Sequence, residues 1–361
     1  MKKILLVSPL PPPVGGIASW TVNMLKYFKT YSSEEYSLEH LNNAMQLRSI
    51  TSTSLVFRVF YGIINFVSFY FKLTSQIFKR PDLCHFTSSA SLGLFKDIFF
   101  ILTCRLFKID TVIHYRFGRI PELYINKGWE WRVLKFVNSI STFVIVLDSK
   151  SLEVLNKYHK HVFLIENPVS PQLIELKNKI IKNPENTILF VGHVTRKKGI
   201  YEFFEATSDL DIKYKLEIVG PFEKDVKQDL LDRYSNKERE VIFHGPLNNE
   251  SVYGKMINSK LLILPSYTEG FPNVIIEGMA LGCAIIATDV GAIPDMLSDD
   301  RGMLISPQNV FQLNEVIKKM LNNDTLRDTL STNAESYALK NYTIENIVKK
   351  LEFIWTYGNK K

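Results

Sequence analysis

Short apolar runs recur along the chain, each closed by a glycine, a proline or a polar turn. Ile4-Leu5-Leu6-Val7 is the first, followed by Thr142 to Leu147, Val162 to Ile165, Thr187 to Val191, Leu216 to Gly220, Val241 to Gly245, Leu261 to Leu264 and Ala284 to Ala287. Runs with so little polar alternation predict strands buried on both faces, as in a parallel sheet. Segments of helical spacing lie between them: Gly15-Gly16 to about Phe28, Trp129 to Ile140, Lys150 to Tyr158, and Asn346 to Tyr357, whose Ile347, Leu351, Ile354 and Trp355 share one face. Repeated strand and helix predict the α/β class.

Two segments depart from this rhythm. Residues 55–79 carry seven aromatics before Lys72 (Phe57, Phe60, Tyr61, Phe66, Phe69, Tyr70, Phe71), then Phe78, and Leu92 to Lys108 repeats that composition. The uncharged run from Val59 to Phe71 is 13 residues, short of the roughly 20 that span a bilayer. Two readings remain: a core helix, or an interfacial helix with aromatics in the lipid and Arg58, Lys72, Lys79 and Arg80 at the headgroups.

A length of 361 residues predicts two domains, and 46% hydrophobic with 22% charged residues excludes disorder. Cys84, Cys104 and Cys283 sit in apolar runs without C-x-x-C spacing, so they predict reduced core residues; seven histidines show no ligand spacing, so no metal site is expected. The start MKKILLVSPLPPP reads as a strand and not as a signal peptide, giving the expectation of a cytosolic protein. Net charge is +7, but residues 1–170 hold 20 Lys/Arg against 11 Asp/Glu while 171–361 hold 24 against 26. The excess cations are interleaved with Phe, Tyr, Leu and Ile, which points to an anionic membrane surface and away from nucleic acid.

Residues 261–295, LLILPSYTEGFPNVIIEGMALGCAIIATDVGAIPD, carry the densest chemistry. Pro272 suits the first position of a helix and Gly282 the position past its end, so a helix is predicted from about Pro272 to Leu281. Its N-terminus opens at the carboxyl end of a strand, where N–H groups and dipole suit a phosphate. Glu269 precedes the helix and Glu277 lies within it. Carboxylates accept from hydroxyls, so the pair suggests phosphate flanked by sugar hydroxyls, the layout of a nucleotide-sugar. Arg196, Lys197 and Lys198 form a basic turn after the strand at 187–191 and suit a diphosphate, or are a solvated turn. Gly15 and Gly16 open a helix after the first strand: a second anion-accepting corner, or a tight turn.

The block E-G-F-P-N-V-I-I-E-G-M-A-L-G-C-A-I-I-A-T-D-V-G-A-I-P-D resembles the retaining, GT-B-type glycosyltransferases of family 4, the group 1 type that build bacterial lipopolysaccharide, capsule and exopolysaccharide. The resemblance implies two Rossmann-like domains with parallel sheets facing a central cleft: residues 1–169 with a C-terminal helix, 343–361, binding acceptor, and 187–342 binding the nucleotide-sugar, with 170–186 as polar linker. It implies strands at Pro81 to Phe86 and Asp110 to Tyr115, with His114 at the carboxyl end either projecting towards substrate or a satisfied structural histidine, and Arg116 and Arg119 just after, suited to handling an anion. It places the ribose on Glu277, the donor sugar on Glu269, sugar and diphosphate on the backbone around Gly270, Phe271, Asn273 and Val274, and donor phosphates near Gly15 and Gly16. Lys198 matches the family lysine, whereas His193 replaces the usual arginine after Gly192, a task left to Arg196.

What this implies is transfer of a sugar from UDP-sugar or GDP-sugar with retention, by front-side attack, without cofactor or metal. Glu269, His114, Arg196 and Lys198 are the expected catalytic residues. The expected acceptor is a lipid-linked glycan, on an enzyme held peripherally at the inner face of the plasma membrane. Rival readings are another GT-B enzyme, such as a nucleotide-sugar 2-epimerase or a phosphorylase, and a non-catalytic scaffold that recruits a partner transferase.

Overall fold

The chain divides into two units, Met1–Glu166 with Ile347–Lys361, and Asn167–Asn346. The computed structural model describes all residues except 13–14, 32–34, 45–54, 181–182, 184, 212, 235–239 and 358–361, and for 55–61 and 357 the backbone alone. The expected roles of Arg58, Phe57, Phe60 and Tyr61 therefore fall on side chains outside the described residues.

In the first unit the described strands are β1 (Lys2–Ser8), β2 (Tyr36–Asn42), β3 (Leu83–Ser88), β4 (Asp110–Tyr115), β5 (Phe143–Val146) and β6 (Val162–Leu164). All pair in parallel, in the order β2-β1-β3-β4-β5-β6. The helices are α1 (Gly16–Thr30), α2 (Leu55–Phe78), α3 (Gly93–Leu106), α4 (Ile120–Asn126), α5 (Trp129–Ile140) and α6 (Ser149–Asn156). Leu5, Val7, Cys84, Phe86, Ile113, Val144 and Val146 fill one core beneath α2, α3 and α5, which accounts for the unbroken apolar strands. β2 had no apolar run to announce it. Its YSLEHLN is an edge strand with mostly half-exposed residues, paired with β1.

The second unit repeats this plan with β7 (Thr187–Val191), β8 (Lys215–Val219), β9 (Val241–Gly245), β10 (Leu261–Leu264), β11 (Ile285–Thr288) and β12 (Met303–Ile305), again all parallel, in the order β12-β11-β10-β7-β8-β9. Its helices are α7 (Pro171–Lys177), α8 (Ile200–Thr207), α9 (Lys224–Tyr234), α10 (Asn249–Asn258), α11 (Asn273–Ala280), α12 (Ile293–Leu297), α13 (Val310–Leu321) and α14 (Asp324–Asn341). The last helix, α15 (Ile344–Tyr357), begins in this unit and ends in the first, where Lys2 Nζ donates to the Trp355 carbonyl at 2.8 Å and the Tyr36 hydroxyl to Glu352 at 2.6 Å.

Residues 170–186 are more than the polar linker expected. They contain α7, whose Leu173 is fully buried and whose Lys177 donates to the Ala280 carbonyl at the end of α11. In both units the first strand is flanked on both sides by strands that follow it in the chain, so the order reverses beside it: between β1 and β3, and between β7 and β10. Open parallel sheets bind ligands at the carboxyl ends of such strand pairs.

Candidate functional site

At the reversal point of the second unit, two loops are stitched together. Gly199 ends the turn after β7 with φ +72°, and a Cβ there would lie 1.9 Å from the Pro265 carbonyl oxygen at the end of β10. Only glycine permits so close an approach in that backbone conformation. Tyr267 N–H donates to the Lys197 carbonyl at 2.9 Å, and the Tyr267 hydroxyl to Glu202 of α8 at 2.5 Å. A third loop closes over the second, since Ala292 N–H donates to the Gly270 carbonyl and a Cβ on Gly291 would sit 2.2 Å from the Glu269 carbonyl oxygen.

This stitching brings Lys198 to Glu269. The ammonium donates to Glu269 Oε1 at 2.5 Å, with side chains 32% and 9% exposed. Lys198 and Arg196 separate here, although the sequence placed them together. A three-residue helical turn, Arg196–Lys198, turns the arginine away, and its exposed guanidinium lies 4.3 Å from the centre of the Tyr201 ring. Tyr201 is fixed by Asp229, which Arg233 also holds. His193, after Gly192, is exposed.

α11 starts one residue later than predicted. Pro272 is its cap, with an extended ψ of 118°, and its carbonyl accepts from Ile275 N–H; Gly282 closes the far end at φ +71° as expected. The cap position suits proline because its carbonyl can accept the first helical bond without needing helical backbone angles. No side chain caps the N-terminus of α11. Asn167 fixes that end instead, its Nδ2 donating to the Phe271 carbonyl at 3.3 Å and to Asn273 Oδ1 at 3.1 Å. Phe271 also meets Tyr342 edge-on at 5.7 Å. Glu277, on the second turn, is held by the Tyr253 hydroxyl of α10. Burial pushes its carboxyl up to about 7, against the lowering effect of that bond. Burial, then the charge of Glu277, pushes Tyr253 up as well.

The reversal point of the first unit is filled differently. His114 stands at the carboxyl end of β4 as expected, but its ring is fully buried, so it does not project as a free donor. His85 Nε2 lies 3.2 Å from His114 Nδ1, Arg116 Nη1 lies 3.1 Å from His114 Nε2, and Trp355 Nε1 donates to His85 Nδ1 at 3.1 Å. Burial, then the Arg116 charge, holds His85 down to about 3 and His114 well below the usual histidine range. Both rings are thus neutral. Two neutral imidazoles between two obligate donors satisfy only two of the three contacts, so this cluster has no spare acceptor to offer.

Trp20 meets His114 edge-on at 5.5 Å, with the Arg116 guanidinium 4.6 Å from its ring centre. Burial lowers the Arg116 guanidinium to about 9. Arg119, expected to handle anions, is bound bidentately to Glu130 at 2.6 and 3.2 Å. Gly15 caps α1 and Gly16 begins it, and a Cβ on either would meet nothing within 4 Å, so neither glycine is required by packing.

One face of the first unit carries its most exposed apolar side chains. Leu92, at the cap of α3, and Phe95, Phe99, Leu102 and Leu106 on it follow helical spacing and are 44–80% exposed. Ile63, Ile64, Val67, Phe71 and Phe78 of α2 and Trp129 and Phe136 of α5 are also exposed. Phe66 of α2 touches Phe99, and Phe95 stacks on Trp129, so the three helices make one surface. Exposed Lys72, Lys79, Arg80, Arg105, Lys108, Arg132 and Lys135 border it. Among the described residues of α2 and α3 the only carboxylate is the buried Asp97. Among the described residues, no helix is long and apolar enough to cross a membrane.

Residues 171–337, which hold every group of the Lys198–Glu269–Glu277 site, match the family described as Glycosyl transferases group 1. The chain carries a group 1 glycosyltransferase domain. The chain is 25% identical over 361 residues to the glycosyltransferase MJ1178 of Methanocaldococcus jannaschii, covering 94% of this chain and 93% of that one. It is 25% identical to the capsular polysaccharide biosynthesis glycosyltransferase CapM of Staphylococcus aureus, covering 77% of each. It is also 25% identical to the N,N'-diacetylbacillosaminyl-diphospho-undecaprenol alpha-1,3-N-acetylgalactosaminyltransferase of Campylobacter jejuni, covering 74% of this chain and 75% of that one.

Its fold superposes on sucrose-phosphate synthase from Thermosynechococcus elongatus with a TM-score of 0.77 at 17% identity, covering 99% of each chain. Against Anabaena HepE in complex with UDP the TM-score is 0.72 at 16% identity, covering 99% of this chain and 100% of that one. Two Rossmann-like domains of the GT-B class are the architecture.

Proposed function

We propose that this glycosyltransferase moves a sugar from a UDP-sugar or GDP-sugar, with retention, to a lipid-linked glycan acceptor in surface polysaccharide assembly. The observation that carries the reading is the Lys198–Glu269 pair at the β7/β10 reversal point, next to an α11 N-terminus with no side-chain cap. HepE binds UDP, and the Campylobacter relative is named for an acceptor on diphospho-undecaprenol.

In this reading Lys198 and the α11 N–H groups take the developing charge of the leaving diphosphate, Glu269 receives donor-sugar hydroxyls and Glu277 the ribose. Arg196 reaches the phosphates only by leaving Tyr201. The leaving diphosphate takes the acceptor's proton on the same sugar face, so the chain supplies positioning and charge in place of a nucleophile or metal. His114 acts from beneath, setting Arg116 and Trp20. The α2/α3/α5 face lies on anionic lipid at the inner leaflet, with apolar side chains in the interface and cations at the headgroups, each adding about 1 kcal/mol.

The test is turnover with a panel of UDP- and GDP-sugars on polyprenyl-diphosphate glycans, with and without EDTA, beside sedimentation with vesicles of rising anionic lipid content. No transfer from any donor sinks the reaction. Loss with EDTA and recovery with magnesium or manganese sinks the metal-free route, and indifference to anionic vesicles at low salt removes the membrane surface.

A further inference from the structure

In the structure Lys198 and Glu269 satisfy each other. Their backbones are pinned, Lys198 by the Gly199 approach to Pro265 and Glu269 by the Gly291 approach, so the pair parts only by side-chain motion. To meet a diphosphate, Lys198 gives up its carboxylate. Glu269, 9% exposed, then needs other donors, because a buried carboxylate without them is costly.

We infer that this pair discriminates between the sugar-bearing donor and the spent nucleoside diphosphate, a statement that rests on the donor-site reading above. A nucleotide-sugar brings both replacements at once: phosphate for Lys198 and hydroxyls for Glu269. A nucleoside diphosphate brings only the first, so it either strands Glu269 or goes without Lys198. The carboxylate therefore weakens the product more than the donor, by leaving a polar group unmatched in the wrong complex. After transfer, return of Glu269 to Lys198 competes with the departing diphosphate and promotes its release.

The experiment is calorimetric titration of wild type and Glu269→Gln with UDP, GDP and the matching nucleotide-sugars. Glu269→Gln is expected to bind the free nucleoside diphosphate roughly three- to tenfold tighter while turning over more slowly, and to be inhibited by product at correspondingly lower concentration. In Glu269→Gln with Lys198→Met that gain disappears, because it acts through the lysine. Glu269→Asp, which lengthens the pair and keeps the charge, moves the same way by less and serves if Glu269→Gln fails to fold. Equal or weaker nucleoside diphosphate binding by folded Glu269→Gln or Glu269→Asp overturns the discriminator and leaves the donor site standing. Failure of wild type and variants alike to bind UDP or GDP overturns the donor site and the discriminator with it.

Discussion

The two units are built to one plan and use its focal point in opposite ways. Each has six parallel strands and a reversal of order beside its first strand. In the first unit that point is plugged by Trp20, His85, His114, Arg116 and Trp355, packed ring against ring and mostly fully buried. In the second it holds Lys198 and Glu269, on loops that glycines bring within reach of each other, and Glu277 on the helix that follows. A parallel sheet thus supplies a place for chemistry without supplying the chemistry. Charged side chains that keep some exposure there can exchange partners with a ligand, whereas neutral rings locked in full burial hold shape.

The sharpest way to break this comparison is at Lys198. Lys198→Ala is expected to lower kcat by about a hundred- to a thousandfold, the loss seen when one donor to a developing anion is removed, and also to lower the thermal midpoint, because Glu269 is left without its donor. A loss of only a few-fold would mean that the open point is no more catalytic than the plugged one.

Glu277 sharpens it next. Glu277→Ala is expected to weaken free nucleotide by about ten- to a hundredfold, from roughly 1.5–3 kcal/mol for a charge-assisted bond. Its carboxyl is raised to about 7 from the ordinary 4.5, so the charged form is the disfavoured one in the fold. The stability this lends is fully present below about 4.5 and lost as pH rises through 7. Ribose hydroxyls favour the ionised form, so nucleotide affinity should rise from pH 6 to 8 in wild type and stay flat in Glu277→Gln, whose thermal midpoint should gain on wild type over that range. A nucleotide affinity independent of pH in wild type removes the ribose assignment.

The plugged point should answer in stability. His114→Gln leaves polar neighbours imperfectly matched and is expected to cost about 1–3 kcal/mol by urea denaturation, with kcat of the folded protein within a few-fold of wild type. A hundredfold fall in kcat at unchanged stability would restore His114 as a group that touches substrate.

How much of this was legible follows the range of the interactions. Leu261 to Leu264, Gly282 and the Glu269/Glu277 spacing are local signals, and the strands and α11 emerged from them within a residue. β2 was silent because an edge strand needs no apolar run, and α7 was silent because seven residues are too few to display a helical period. His114 is buried against Trp20 and His85, and His85 is held in turn by Trp355, 270 positions on, which no spacing rule connects to these strands. The Asn167 side chain fastens Phe271 and Asn273, 104 and 106 residues on, a link that no local pattern announces. The turn that parts Arg196 from Lys198 is likewise a single three-residue helical turn, invisible in R-K-K.

That separation sets the smallest effect and the finest test. If Arg196 stays on Tyr201, the diphosphate has Lys198 alone from this turn, and position 193, exposed just after Gly192, is where a second cation is missing. His193→Arg is then expected to tighten nucleoside diphosphate binding by a few-fold, up to about 1 kcal/mol for a partly solvated pair, with the gain shrinking as salt rises. If Arg196 instead leaves Tyr201 to reach the phosphates, the site already has its second cation, His193→Arg adds nothing, and Arg196→Ala costs binding. Titrating both variants at two salt concentrations separates the cases: a gain in the first with no loss in the second keeps Arg196 on its ring, and the reverse pattern moves it to the nucleotide.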